Sequence, residues 1–171
     1  MSETELLVKQ TEGAYAWVYK LVTDIPYEKW DFIPEGVESN VSWQVGHLII
    51  SYYYHSVMVI TGHQTDILQQ IPMKDYSQLF HNTLAQVCVG QTQPQLLKEQ
   101  LNLMAQKSIN IIRSLPAEEL EKPLVTTPMP HPVAKTKFEA LDWNIKHTMW
   151  HCGQLAILKR IVHERYDFGL K

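Results

Sequence analysis

The chain has 171 residues, 45% of them hydrophobic and 19% charged, which suits a single globular domain over 1–171 with a real buried core. A net charge of −3 gives no basic footprint, which argues against nucleic acid and acidic membrane surfaces as partners. Cys88 and Cys152 show no C-x-x-C spacing and the start, Met-Ser-Glu-Thr-Glu, has no charged-then-apolar leader, so a reducing, cytoplasmic setting is expected.

Apolar residues recur at helical spacing in four stretches, and alternating strand patterns are absent. The first stretch, about 3–25, carries Leu7, Gln10, Ala14, Trp17 and Leu21 along one side and stops at Pro26. An irregular connection follows over 27–40. The second helix starts at Asn40 or Ser42, both good caps, and runs to Thr61, with Gly62 as its stop. Residues 62–93 are ambiguous, with a short helix expected over 75–89. Pro94 opens the third helix, which sets Leu97, Leu101, Met104, Ile111 and Leu115 on one stripe before Pro116. After the proline-rich connection 122–132, Thr136 and Glu139 form a capping-box signature for a fourth helix reaching about 164. The fold class expected is all-α: a four-helix bundle with long connections between helices 1 and 2 and between helices 3 and 4.

Between Glu38 and Asp66 no residue is charged, so the second helix lacks a solvated face. Gln44, His47, Tyr52, Tyr53, Tyr54, His55 and the serines make it too polar for a membrane span. Two covers are open: a second copy of the chain, giving a homodimer, or the 62–93 segment folded back over it.

Eight histidines is a high number for this length. His147 and His151, four apart, project from one face of the last helix. On a wheel that face lies opposite Asp142, Lys146, Arg160 and Glu164 and beside Leu141, Ile145, Cys152 and Leu155, so both rings point inward. Two imidazoles do not close a metal site, and a third ligand is available on the second helix, where His47 shares a face with Trp43, Ser51, Tyr54 and Met58. The other reading of the pair is hydrogen-bonded core histidines. His55 and His131 are the runner-up ligands, and His63, His81 and His163 read as solvated. Cys152 turns into the apolar stripe as a core residue, Gln154 is placed to orient an imidazole or line the pocket, and Trp43 reads as packing. Gly153 falls on the outer stripe, where it would permit close approach of a neighbouring segment.

Two segments, Ser42-Trp43-Gln44-Val45-Gly46-His47-Leu48 and His147-Thr148-Met149-Trp150-His151-Cys152-Gly153-Gln154-Leu155, resemble the two signature segments of the DinB-like superfamily. The likeness is specific over these sixteen or so residues and covers the rest as architecture. It implies a four-helix bundle, commonly dimeric, in which His47, His147 and His151 hold a divalent ion: zinc, nickel, manganese or iron. It also implies three competing functions. One is a thiol-dependent S-transferase using a low-molecular-weight thiol; another is a metal-dependent hydrolase. The third is a non-catalytic dimeric binding protein with a structural or vestigial metal. Neither ligand-bearing helix offers an inward carboxylate as general base for hydrolysis, leaving Tyr54, His55 or His131 for that role, whereas a transferase needs only the metal to hold its thiol.

Overall fold

The structure is a computed structural model and describes residues 1–169. Helix α1 (Glu3–Val22) begins with a complete capping box, Ser2 with Glu5, and ends three residues earlier than the apolar pattern suggests. Helix α2 (Val41–Tyr53) is capped by the Asn40 side chain, which accepts the Trp43 N–H at 2.7 Å. Without a break it passes through a π-helical turn (Tyr54–Met58) into α3 (Val59–Thr61), and Gly62 at φ +85° stops it. The ambiguous segment forms α4 (Thr65–Leu68), α5 (Met73–Phe80) and a 3₁₀ turn (Ala85–Cys88), in place of one helix over 75–89. Helix α6 (Pro94–Ser114) has Pro94 in its first turn, and α7 (Lys137–Val162) carries the Thr136–Glu139 capping box. Among the described residues there is no strand, only an isolated antiparallel bridge between Pro123 and Thr136. No helix there is long and apolar enough to cross a membrane.

The bundle consists of α1, α2 with its continuation, α6 and α7. Helix α1 packs on α7 and α6, and α2 packs on α6, α5 and α7. At the centre Tyr15 stacks on Tyr52 at 3.9 Å between centroids, and its hydroxyl accepts from Asn144 and shares a hydrogen bond with the Ser108 hydroxyl. Three helices thereby share one polar core contact, in which the Asn144 Oδ1 is left without a partner among the described residues.

The charge-free second helix is explained within the chain. From 41 to 60 every residue of this helix is buried except Trp43, His47, Ile50, Tyr54 and Met58. That spacing is a single stripe, and it is the stripe of His47. The opposite side faces the bundle, and α5 covers the flank, with Phe80 fully buried against Gly46. Of the two covers left open by the sequence, the 62–93 segment supplies this one. The half-open stripe is itself only partly exposed, so no position of this helix is fully solvated.

One burial was not legible. Lys159 on α7 is 2% exposed, with its ammonium 3.7 Å from the Asp24 carboxylate just past the end of α1. The carboxylate favours a cation there, although the ammonium makes no hydrogen bond among the described residues.

Candidate metal centre

His47, on the half-open stripe of α2, and His147 and His151, one turn apart on α7, come together as the sequence predicts. Each offers a ring nitrogen, and these ligand atoms all lie within 4.8 Å of one another. Ring centroids are 4.6 Å apart for His147 and His151, 4.7 Å for His47 and His151, and 5.3 Å for His47 and His147.

Hydrogen bonds fix which nitrogen each ring presents. Nδ1 of His47 donates to the Phe80 carbonyl at 2.8 Å, and since a carbonyl only accepts, the proton is on Nδ1 and Nε2 holds a lone pair. Nδ1 of His151 donates to Oε1 of Gln44 at 2.5 Å. The Gln44 amide is oriented by its own donations to Ser39 Oγ at 2.8 Å and Gln154 Oε1 at 2.6 Å. His151 therefore also presents Nε2 as a lone pair, and Nε2 of His147 lies 3.2 Å from it. Two nitrogens bound to one tetrahedral zinc at ordinary Zn–N lengths stand ~3.3 Å apart. Nδ1 of His147 is buried and has no hydrogen-bond partner among the described residues.

The electrostatics agree with neutral rings. Burial, then neighbouring imidazoles, takes His151 down to about 3 and His147 to about 4. His47 is lowered by burial, against the opposing pull of the Phe80 carbonyl. No carboxylate contributes to the shift of any of these rings.

The surrounding residues divide into those the sequence placed and those it did not. Trp43 does more than pack: its indole lies over the His47 ring at 4.9 Å and 10°. Trp143 flanks His147 at 6.1 Å and 22°. Gln154 orients an imidazole at one remove, through Gln44. Cys152 is a core residue whose thiol burial pushes up to about 12, too high for a nucleophile near neutrality. Gly153 is exposed, with nothing of this chain within 4 Å of a Cβ built there. His55 and His131 do not join the triad but bond to each other beside it. His63 bonds to the Tyr53 hydroxyl, His163 lies near Glu164, and exposed His81 stands 6.5 Å from His47. Gln44 and Phe80 were missed. The only signal for Gln44 was a lone amide in an otherwise apolar turn, and Phe80 acts through a main-chain carbonyl that any residue carries.

The sequence model of the DinB superfamily matches residues 10–155. Among solved structures, one described as a conserved protein from Enterococcus faecalis superposes with a TM-score of 0.70 at 18% identity, covering 95% of this chain and 98% of that one. At that identity the likeness is one of fold. No curated protein matches significantly.

Proposed function

Since the chain belongs to the DinB superfamily, by its match over residues 10–155, we propose that it is a divalent-metal-dependent enzyme acting on a low-molecular-weight thiol. The observation that carries this reading is the convergence of three ring nitrogens, two of them locked as lone-pair donors, with no carboxylate acting on them. Three neutral ligands leave the full charge of a divalent cation uncompensated, a setting that favours an anionic partner such as a thiolate.

A cation held by His47, His147 and His151 would supply Lewis acidity, lowering the pKa of a coordinated thiol or water. The chain's own groups do the remaining work. Phe80 and Gln44 hold two imidazoles in the tautomer that offers Nε2. The indoles of Trp43 and Trp143 flank two of the rings and offer apolar surface to a substrate. For a hydrolase, His55 was a possible base, but burial first and neighbouring imidazoles next take it down to about 2, far below a useful general base. This weighs for the thiol reading.

Metal analysis by mass spectrometry on tag-free protein tests the centre. The wild type should carry about one ion per chain, and His147→Ala should carry far less. Equal, negligible contents under replete conditions would overturn the reading. Turnover of an electrophile with a thiol panel, lost on chelation, is the expected activity; turnover of esters or amides without thiol would make the protein a hydrolase. Gln44→Leu keeps the bulk and removes the acceptor, so metal affinity measured against a chromophoric chelator should fall by ~10-fold or more. An unchanged affinity would mean that the His151 tautomer is not set by Gln44.

A further inference from the structure

The π-helical turn Tyr54–Met58 is the one irregularity in the second long helix, and such turns recur at functional sites. It contains His55, 7% exposed, whose Nδ1 lies 2.7 Å from Nε2 of His131. His131 arrives on the proline-rich connection, which is clamped at its base by the Pro123–Thr136 bridge and tied to the helix by the Val125 N–H on the Val59 carbonyl at 2.9 Å. Tyr54 stacks on the His131 ring at 5.4 Å and 2°.

The proton positions in this pair follow from the backbone. Nδ1 of His131 accepts the Ala134 N–H at 2.9 Å and the Val133 N–H at 3.3 Å. A nitrogen that accepts from an amide carries a lone pair, so neutral His131 has its proton on Nε2. That proton is donated to Nδ1 of His55, which in turn leaves the His55 proton on Nε2. Two main-chain amides thus set the tautomers of two rings in series. His55 stands between His131, at 4.9 Å between centroids, and His147, at 5.4 Å. The bond at Nδ1 is the one hydrogen bond of this ring among the described residues, so Nε2 makes none there.

We infer that His55 is a preset hydrogen-bond donor beside the three-histidine cluster, recognising an acceptor oxygen, carboxylate or carbonyl, of a ligand bound there. The inference rests on that cluster being the metal centre proposed above. It assigns His55 a positioning role and gives the His131 connection a purpose: to keep the donor nitrogen turned outward from the pair.

Cobalt(II)-loaded protein provides the test, with ethanethiol and mercaptoacetate as probes read by the thiolate charge-transfer band. Both bind through sulfur, and only mercaptoacetate brings an acceptor oxygen. His55→Phe should weaken mercaptoacetate by about tenfold or more while shifting ethanethiol by less than about twofold. His55→Gln, which keeps an N–H donor, should recover part of the preference, and His131→Ala should lose it. Equal weakening of both thiols, or of neither, overturns the inference. Independently, a long-range proton–nitrogen NMR spectrum of metal-free protein should place the His55 proton on Nε2; finding it on Nδ1 overturns the inference whatever the metal does. Protein that takes up no cobalt would instead sink the metal reading, a failure the tautomer spectrum tells apart from this one.

Discussion

Protein carrying Gly46→Ala is expected to bind the proposed divalent ion ~100-fold more weakly than the wild type and to lose ~1–3 kcal/mol of stability. A Cβ at Gly46 would stand 2.5 Å from Cγ and Cδ2 of the Phe80 ring, closer than any real carbon contact. The ring has little room to give: Phe80 is fully buried, and Tyr76 meets it edge-on at 5.2 Å. Relief therefore moves the end of α5. The main-chain carbonyl of the same residue accepts the Nδ1 proton of His47 at 2.8 Å, so the displacement reaches the ligand ring directly. Metal titration and urea unfolding measure the two effects. Trimming the ring with Phe80→Leu in the alanine background should restore part of the affinity. Wild-type affinity in Gly46→Ala would mean that α5 moves without disturbing His47.

Acid should unfold the protein over an unusually wide range. In the native state His151 titrates at about 3 and His147 at about 4, each driven down first by burial and then by other imidazoles, and His47 is lowered too. In the unfolded chain a histidine titrates near ~6.5. Between those limits the unfolded state binds more protons, so stability is complete above the unfolded value and falls as pH drops towards the native ones. Each ring contributes a slope of up to ~1.4 kcal/mol per pH unit. Three such rings acting together are large against a total of ~5–15 kcal/mol. Release of the proposed ion would reinforce the trend, because a protonated imidazole has no lone pair to offer. Urea midpoints taken from neutral to mildly acid pH, with and without chelator, test it. A flat profile in the chelated protein would contradict neutral native rings.

The histidine cluster was legible because its logic is periodic: two histidines a turn apart, inward by the wheel, and a third on the helix with no charged residue. The bundle was legible for the same reason, from stripes of Leu and Ile ended by Pro26, Pro116 and Gly62. What lay beyond reach was whatever depends on main-chain atoms or on contacts distant in sequence. Phe80 serves His47 through its carbonyl, and nothing in 62–93 announces that α5 will lie on Gly46. The pairing of His55 with His131 spans 76 positions and depends on a π turn, for which the sequence has no periodic mark. Lys159 was equally hidden, since a lysine beside Arg160 on the last helix reads as solvated until the end of α1 is known to sit against it. The expectation that helix 2 meets a second copy of the chain rested on its lack of charge; α5 covers one flank of that helix, and whether a second copy meets the rest is a separate question for the oligomeric state in solution.

The three imidazoles are not equally anchored. With an ion present, His47 and His151 would be gripped at both nitrogens, one side by the cation and the other by Phe80 or Gln44. The far nitrogen of His147 touches no protein acceptor among the described residues. A ring pinned at one point can swing about its side-chain bonds, whereas a ring pinned at two cannot. His147 is instead held by the rings around it, with Trp143, His55 and His151 at 6.1, 5.4 and 4.6 Å between centroids, so packing and not a hydrogen bond sets its direction.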